Sequence, residues 1–270
     1  MTRASIRDGT GASFNDGARA VWPYPRVIAH RGGGTLAPEN TLGAIRHGAS
    51  LGFRGVEFDV MLTGDSMPVL IHDESLERTT DGQGEVARLQ YGAIEKFDAG
   101  RWLAERWSGE RVPMFGEAGR LCRELGLWAN VEIKPAKGFE TQTGRAVAQM
   151  ALELWRGAPL PPLLSSFAPQ ALTAARAAAP QLPRGMLVGR IPPDWKLRMQ
   201  ALECVALHCN HKELTEPLLA EIHAAGYAVL VWTVNDPRDA RRLFDWGVES
   251  IVTDRLDLIG PDVADFPQGA

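Results

Sequence analysis

The chain has 270 residues, and 45% of them are hydrophobic, which is enough to bury a sizeable core in one large α/β barrel or two small domains. Its 29 basic and 33 acidic residues leave a formal net charge of −4, so the composition lacks the positive footprint of a protein that binds nucleic acid or an anionic membrane. A negatively charged ligand would therefore have to be held by a few local cations or by a metal ion. No apolar run is long enough to predict an integral membrane segment.

The ends of the chain and its cysteines indicate a cytoplasmic protein. Residues 1–24 are polar and glycine-rich without the apolar core of a signal peptide, and we interpret them as a loose leader before a folded unit at residues 25–262 and a tail at 263–270. Cys122, Cys204 and Cys209 are odd in number and lack metal-site spacing, which favours reduced thiols.

Strand-like and helix-like segments alternate along the folded unit, which predicts a parallel sheet with helical crossovers. The predicted strands are Arg26–His30, Gly55–Leu62, Met67–His72, Leu127–Ile133, Leu163–Phe167, Arg184–Val188, Val205–Cys209, Tyr227–Val234 and Ser250–Thr253. The predicted helices are Thr41–Leu51, Phe115–Leu125, Phe139–Trp155, Pro169–Ala179, Asp194–Cys204, Thr215–Ala225 and Pro237–Trp246.

Nine predicted strands are one too many for a barrel of eight. The second and third strands are separated only by residues 63–66, which are too few for a parallel crossover but suit a hairpin turn. We therefore predict that Met67–His72 folds back antiparallel on the preceding strand. The remaining eight parallel strands close a (β/α)₈ TIM barrel.

A long segment at about residues 74–112 follows the predicted hairpin and exceeds the usual length of a βα loop. It carries four aromatic residues, namely Tyr91, Phe97, Trp102 and Trp107. One interpretation is a small inserted subdomain over the barrel mouth. The other is a padded loop whose aromatic side chains pack only on one another.

Acidic residues occupy one face of two predicted strands. Glu57 and Asp59 alternate with apolar residues in GVEFDVML, so both point to the same side, and Glu132 arrives from a second strand that ends in VEIK. Carboxylates inside a barrel are unfavourable unless a cation compensates them. These three residues form an oxygen-rich cluster suited to Mg²⁺ or Ca²⁺. The alternative is buried ion pairing of Glu57 or Glu132 with Lys134.

Two histidines close strands at the same predicted mouth. His30 ends the first strand, and the short hairpin is expected to return His72 to the level of Asp59. Both imidazoles titrate near neutrality, so they are candidates for a general base and a general acid. The alternative is that either one is structural or a metal ligand. Of the remaining histidines, we assign no function to His47, His211 and His223, and we leave His208 unassigned.

Three further residues are candidates for binding a ligand. Arg31 and Lys134 are the cations available at the mouth, and a guanidinium matches phosphate oxygens. Trp232 lies near the end of a late strand, where it provides an apolar wall or simply packs in the core. The run Gly32–Gly34 lacks the spacing of a dinucleotide fingerprint and reads better as a flexible loop that lets backbone approach a ligand.

Six segments occur in the order and at the spacing of a known family: HRGGGTLAPENT, GVEFDVMLTGDSMPVLIHD, ERTTDGQG, VEIK, VWTVND and SIVTD. In them the chain resembles the bacterial glycerophosphodiester phosphodiesterases, most of all the cytosolic enzymes associated with glycerol 3-phosphate uptake. The resemblance runs from about Val27 to Pro261, and although each segment alone is weak, the combination is specific. It implies a barrel with a small insertion after the hairpin. The site residues it implies are His30 and His72 as the acid/base pair, Glu57, Asp59 and Glu132 as ligands of Mg²⁺ or Ca²⁺, Arg31 and Lys134 near the phosphate, and Trp232 near the substrate.

The resemblance also implies the reaction, which is metal-dependent hydrolysis of small glycerophosphodiesters to sn-glycerol 3-phosphate and an alcohol. Water or the glycerol 2-hydroxyl is the nucleophile, and the sequence leaves that choice, the headgroup, the metal and the oligomeric state open. One alternative is a lysophospholipase D or sphingomyelinase D-like activity, which predicts an apolar patch at the mouth from Phe97, Trp102 and Trp107. Another is a non-catalytic barrel that binds phosphodiesters, which would be expected to lack at least one of the proposed catalytic or metal-binding residues.

Overall fold

The computed structural model describes residues 22–262, and its centre is a closed ring of eight parallel strands. The strands β1 to β9 span, in order, Val27–Ala29, Gly55–Leu62, Pro68–Leu70, Trp128–Ile133, Leu163–Ser166, Arg184–Val188, Ala206–Asn210, Ala228–Trp232 and Ser250–Thr253. The ring runs from β1 through β2, β4 and the following strands to β9, which pairs back with β1. The predicted (β/α)₈ barrel is thereby confirmed.

The ninth strand, β3, lies outside the ring and pairs antiparallel with β2, as the short turn predicts. Its register differs from the expected one by a residue. Val60 lies opposite Leu70, and the amide of Ile71 donates to the carbonyl of Asp59 at 3.2 Å. His72 therefore lies one position beyond the level of Asp59 rather than beside it.

Eight α-helices accompany the strands within residues 22–262. The helices α1 to α8 span, in order, Leu42–Ser50, Tyr91–Ile94, Phe115–Glu124, Glu140–Leu154, Pro169–Ala178, Trp195–Leu202, Glu216–Ala224 and Pro237–Trp246. The short α2 was not predicted, and the other seven match the predicted helices to within a few residues. Side-chain caps fix several of the starts: the Thr41 hydroxyl accepts from the Ala44 amide, and the Asp236 carboxylate accepts from the Arg238 amide.

The two faces of each barrel strand have different environments. Val56, Phe58 and Val60 of β2 belong to the large apolar core between the sheet and the helices, as predicted, whereas Glu57 and Asp59 point into the barrel. In barrels of this kind, four side chains from alternate strands form each interior layer. Following the strand pairings around the closed ring gives three successive layers toward the mouth. They consist of Ile28, Asn130, Gly185 and Leu230; then Glu57, Ser165, His208 and Val252; then His30, Glu132, Leu187 and Trp232.

The floor of the barrel is closed by residues that the sequence placed in the loose leader. Tyr24 is buried and stacks on Trp128 with ring centroids 4.5 Å apart, and the Trp22 indole N–H donates to the Ser250 hydroxyl at 2.8 Å. The start of the folded unit at residue 25 was therefore set too late, since Trp22 and Tyr24 are part of the barrel. The leader's residues 1–21 and the tail at 263–270 lie outside the described residues.

The segment at 74–112 has an apolar cluster of its own. This second cluster consists of Met61, Val69, Ile71, Leu76, Val86, Ile94, Ala99, Val112 and Ala136. Tyr91 and Phe97 pack against it, and Trp107 lies edge-on to His47 of α1 at 5.8 Å between ring centroids. These contacts join the segment to β2, β3 and α1, which favours an inserted subdomain over a loop that packs only on itself.

Candidate active site

A pocket opens at the mouth of the barrel, where the strands end. Besides the predicted site residues, it is lined by Asn130, Phe167, Leu187, His208, Leu230, Thr233 and Val252. All eight predicted site residues line it as well: His30, Arg31, Glu57, Asp59, His72, Glu132, Lys134 and Trp232. The fold therefore brings together every residue that the sequence singled out.

Three buried carboxylates converge on one side of the pocket. Glu57, Asp59 and Glu132 each offer an oxygen atom, and these atoms lie within 4.8 Å of one another. The pairing of β2 with β4 places Asp59 directly beside Glu132. Oxygen donors at this separation suit a hard divalent cation such as Mg²⁺ or Ca²⁺.

The charge of this cluster is only partly compensated. Burial, followed by the neighbouring carboxylates, raises the pKa of Glu57 well above its ordinary value and raises the pKa of Glu132 to about 7. Among the described residues, Glu57 Oε1 has no hydrogen-bond partner. Its other oxygen, Oε2, accepts from the Arg31 amide at 3.1 Å. A buried carboxylate oxygen without a partner is unfavourable, so these residues fit a bound cation on charge as well as on geometry.

Lys134 makes the ion pairs that the sequence offered as the alternative to a metal. Its ammonium lies 3.2 Å from Glu132 Oε1 and 3.5 Å from Asp59 Oδ1. Burial acts to raise the pKa of Asp59, but the charges of Lys134 and Arg31 outweigh it and hold that pKa below its ordinary value. Glu57, in contrast, has no ion pair with Lys134 within residues 22–262. The other nearby cation, Arg31, lies 3.6 Å from Asp59 Oδ2 and also pairs with Glu39. Lys134 and Arg31 therefore leave the three carboxylates incompletely neutralised.

Asp59 is held by an amide that the sequence analysis did not assign to the site. Asn40 Nδ2 donates to Asp59 Oδ2 at 2.9 Å, and Asn40 Oδ1 accepts from the Asp59 amide at 3.1 Å. Asn40 has a positive φ of 59°, a conformation that asparagine tolerates better than most residues. This pair of hydrogen bonds fixes the orientation of the Asp59 carboxylate.

His30 is oriented by an acidic residue from the last strand's end. Its Nδ1 lies 2.6 Å from Asp254 Oδ1, so Nδ1–H donates to the carboxylate. The other ring nitrogen, Nε2, faces the pocket 3.8 Å from Glu57 Oε2. Fixing the tautomer in this way leaves Nε2 available to accept a proton.

His72 is held on both ring nitrogens. Nδ1 lies 2.6 Å from Asp73 Oδ1 and acts as the donor, while Nε2 accepts from the Lys134 ammonium at 2.7 Å. Burial lowers the pKa of His72, which agrees with a neutral ring between an anion and a cation. His72 thus has a defined orientation, with the nitrogen that faces the pocket shared with Lys134.

An arginine from the inserted segment connects the two sides of the mouth. Arg78 donates to both oxygens of Glu39 at 2.7 and 2.8 Å and to both oxygens of Asp73 at 2.5 and 3.1 Å. Glu39 in turn accepts from Arg31 Nη1 at 2.6 Å, and Asp73 orients His72. The residues of this network are therefore linked across the mouth by bidentate, charge-assisted hydrogen bonds.

The glycine run after β1 packs closely against neighbouring backbone. A Cβ on Gly34 would come within 2.2 Å of the Asp254 carbonyl oxygen, and one on Gly32 within 2.9 Å of the Ile45 amide nitrogen. Both glycines therefore allow close approach to the protein's own backbone. The run lets the loop that carries Arg31 pack between α1 and the end of β9.

The opposite side of the pocket is uncharged. Leu187, Leu230 and Val252 supply apolar surface, while Trp232 meets the Phe167 ring at 5.6 Å in a T-shaped contact. His208, which the sequence left unassigned, is fully buried in the layer that also contains Glu57. Burial lowers the pKa of His208 to about 3, so its ring is neutral.

Five residues of the site network were missed, although all lie in the quoted motifs: Glu39 and Asn40 in PENT, Asp73 in LIHD, Arg78 in ERTT and Asp254 in SIVTD. A polar residue directly after a strand's end at the mouth was a usable signal for Asp73 and Asp254. Local spacing gave no signal for Arg78, because its partners are 39 and five residues away along the chain.

The aromatic residues of the inserted segment lie away from the pocket. Phe97 packs in the second cluster, Trp107 against α1, and the exposed Trp102 donates its indole N–H to the Ala99 carbonyl. The pocket lining within residues 22–262 includes none of the three. The apolar patch expected for a lipid-cleaving enzyme is therefore not formed by these side chains at the pocket.

A barrel whose mouth combines clustered carboxylates, histidines and cations is the kind of site that enzymes use to act on phosphate esters with a divalent cation. The sequence model of the "Glycerophosphoryl diester phosphodiesterase family" matches residues 30–258. A glycerophosphodiester phosphodiesterase from Caldanaerobacter subterraneus subsp. tengcongensis is 33% identical over 234 residues, covering 84% of this chain and 93% of that protein. The chain therefore belongs to the glycerophosphodiester phosphodiesterase family, and it is a phosphoric diester hydrolase.

Solved structures agree with this assignment. An Oleispira antarctica phosphodiesterase in complex with the product sn-glycerol-3-phosphate superposes with a TM-score of 0.81 at 37% identity, covering 86% of this chain and 93% of that one. A glycerophosphodiester phosphodiesterase from Agrobacterium tumefaciens gives a TM-score of 0.73 at 25% identity over 88% of this chain and 98% of that one. Within residues 22–262, no helix combines the length and apolar character needed to cross a bilayer.

Proposed function

We propose that the chain hydrolyses small glycerophosphodiesters to sn-glycerol 3-phosphate and an alcohol, with a divalent cation bound and with His30 and His72 as the acid/base pair. The observation that carries this proposal is the convergence of three buried carboxylates, two oriented imidazoles and two cations on a single pocket. The Oleispira relative, whose structure contains sn-glycerol-3-phosphate, supports the same product here.

Glu57, Asp59 and Glu132 are the residues that would hold Mg²⁺ or Ca²⁺. When bound, the cation offsets the negative charge that builds on the nonbridging phosphate oxygens. Arg31 and Lys134 add fixed positive charge at the same mouth, so the phosphodiester binds between the carboxylate cluster and these two side chains.

His30 is the better placed base. Because Asp254 holds the proton on Nδ1, the Nε2 atom is free to accept a proton from the nucleophile. The nucleophile is water or the substrate's own glycerol 2-hydroxyl, and the second route passes through a cyclic phosphate. Detection of a transient cyclic glycerol phosphate would distinguish the two routes.

His72 is the proposed acid. Its Nε2 accepts from Lys134 in the structure, so donation to the departing alcohol requires that the phosphate draws the ammonium away and that Nε2 carries the proton. Asp73 stabilises the charged ring in that state. Lys134 therefore has two positions in the proposed cycle, one against His72 and one against the phosphate.

The test is release of glycerol 3-phosphate from several glycerophosphodiesters, with and without EDTA. We expect turnover that EDTA abolishes and that added Mg²⁺ or Ca²⁺ restores. His30→Ala and His72→Ala should each lower the rate by about 10²–10⁴-fold, since each removes a proton-transfer group. His47→Gln, on α1 and in contact with Trp107, is the matched control and should retain wild-type activity.

Two outcomes would refute parts of the proposal. A loss under about tenfold in both histidine variants, with the metal still bound, would refute the acid/base assignment. Faster turnover of lysophosphatidylcholine than of glycerophosphocholine would replace the proposed substrate class with a lipid phosphodiester.

A further inference from the structure

His208 is the most unusual polar side chain of the barrel interior. It has no exposed surface, and among the described residues neither of its ring nitrogens has a hydrogen-bond partner. Buried polar atoms are nearly always paired, so two unpaired nitrogens on one side chain call for an explanation. The pocket reaches this ring, which means that a ligand in the pocket can be the missing partner.

The position of His208 follows from the strand register. Glu57, Ser165, His208 and Val252 form one interior layer, and β7 lies four strands from β2 in either direction around the ring. His208 therefore faces Glu57 across the barrel. It lies one layer deeper than His30 and Glu132, and below it only Asn130 and Leu230 of the next layer line the described pocket.

The space for this ring is created by a glycine on the next strand. A Cβ on Gly185 would come within 2.4 Å of His208 Nε2. Any other residue at position 185 would push the imidazole out of its place. The absence of a side chain at Gly185 thus leaves room for the His208 ring inside the barrel.

The chemistry around His208 restricts what it binds. Leu187, Leu230 and Val252 surround it with apolar surface, and the neutral imidazole offers one donor and one acceptor. A hydroxyl group also offers one donor and one acceptor, and it is small and uncharged. A charged headgroup would be poorly solvated there and is better placed toward Phe167, which is 46% exposed.

We infer that His208 is a specificity-determining residue that hydrogen-bonds the terminal hydroxyl of the substrate's glycerol moiety. This inference rests on the proposed function, because it takes the phosphate to lie at the carboxylates and cations of the mouth. The terminal hydroxyl is the group of the glycerol moiety furthest from the phosphate, so it reaches the layer of His208, below the layer that contains His30 and Glu132. The indole N–H of Trp232, one layer nearer the mouth and also without a partner among residues 22–262, supports a polar, hydroxylated ligand on this wall.

The same contact excludes a class of lipids. An acyl chain on the terminal oxygen removes the hydroxyl and adds a chain that the closed floor below His208 has no room for, since Tyr24 and Trp128 fill that floor. The interior therefore selects deacylated glycerophosphodiesters over lysophospholipids.

The experiment compares choline release from two substrates that differ in one group. sn-Glycero-3-phosphocholine has the terminal hydroxyl, and 2-hydroxypropyl phosphocholine lacks only that group while keeping the 2-hydroxyl that either hydrolytic route can use. For the wild type we expect kcat/KM to be about 10- to 100-fold higher for the first substrate, because the second leaves a buried ring nitrogen unpaired. This comparison needs no variant and so does not depend on how substitutions affect folding.

Two variants then assign the preference to His208. His208→Leu should lose about 10- to 100-fold on glycerophosphocholine and change less than about threefold on the analogue. His208→Gln keeps a donor and an acceptor and should recover most of the preference. His211→Gln, at the neighbouring buried histidine outside the pocket lining, should behave as the wild type on both substrates.

Three results would overturn the inference. Equal turnover of the two substrates by the wild type would show that the terminal hydroxyl is not bound. An equal loss on both substrates in His208→Leu and His208→Gln would show that His208 only packs the barrel. If either of these results is found while glycerophosphocholine is still hydrolysed, the inference about His208 fails and the proposed function stands. If no glycerophosphodiester is hydrolysed, the inference and the proposed function both fail.

Discussion

The two walls of the pocket differ in charge and in hydrogen bonding, although the side chains of both come from the same barrel. The wall formed by β1, β2 and β4 holds Glu57, Asp59, Glu132 and His30, and most of its charged groups have a partner of opposite charge or an orienting hydrogen bond. The wall formed by β7 to β9 is neutral, and its polar atoms on His208 and Trp232 are unpaired among the described residues. This difference matches the proposed roles, in which the charged wall acts on the phosphate and the neutral wall receives an uncharged part of the ligand.

The largest effect is expected from the carboxylate cluster. Glu57→Gln, Asp59→Asn and Glu132→Gln each remove a negative charge from the proposed cation site, where a bound cation would contribute several kcal/mol, so kcat/KM should fall by about 10³-fold. Calorimetric titration with Mg²⁺ or Ca²⁺ should show weaker binding in each variant. Glu213→Gln, in an exposed ion pair with Arg190, is the control. Retention of both metal binding and activity in all three variants would contradict a metal-binding role for the charged wall.

A smaller effect on activity is expected from Arg78, which lies in the inserted segment and binds the residues that orient the charged wall. Arg78→Ala removes the clamp between Glu39 and Asp73, which orient Arg31 and His72, and should lower kcat/KM by about 10- to 100-fold with little change in the free energy of unfolding. Arg88→Ala breaks an exposed ion pair in the same inserted segment and should leave activity unchanged. If Arg78→Ala and Arg88→Ala have the same kcat/KM, the hydrogen bonds of Arg78 to Glu39 and Asp73 do not orient the site.

We expect the neutral wall to change how the free energy of unfolding depends on pH. The folded-state pKa of His208 is lowered to about 3, whereas the unfolded chain binds the proton with a pKa of about 6.5. The stability that the neutral ring contributes is complete above about pH 6.5 and is lost progressively as the pH falls toward 3. At pH 5 the loss is about 2 kcal/mol.

His208→Gln has no such titration. Urea unfolding at pH 8 and pH 5 should therefore show the free energy of unfolding of the wild type falling by about 2 kcal/mol more than that of the variant. If the free energy of unfolding depends on pH in the same way in both proteins, the His208 ring takes up a proton in the folded protein as readily as in the unfolded chain. The wall would then not be neutral at pH 5.

The smallest effect is expected at the aromatic part of the neutral wall. Trp232→Phe keeps the contact with Phe167 but removes the indole N–H, so kcat/KM for a glycerophosphodiester should fall by about 3- to 10-fold. Trp102→Phe removes an N–H that donates to Ala99 away from the pocket and should change nothing. An unchanged Trp232→Phe enzyme would limit the role of Trp232 to packing.

The contrast between the walls also explains which of their residues could be predicted from the sequence. Acidic residues alternating with apolar ones in a strand are conspicuous, because a buried carboxylate requires compensation, and Glu57, Asp59 and Glu132 were found in this way. His208 alternates with apolar residues in ALHCN too, but a lone histidine is compatible with either face. The residues that orient the charged wall, such as Asn40 and Arg78, were missed because their partners are distant in the chain.

The sequence by itself determined the alternation of strands and helices, the antiparallel return of β3 and the side of β2 and β4 that carries the carboxylates, because these depend on local periodicity and on the shortness of one turn. The tertiary structure alone decided which residues share an interior layer, how Arg78 joins Glu39 to Asp73, and that Trp22 and Tyr24 close the floor. These features depend on the register of a closed ring of strands, which relates residues far apart along the chain.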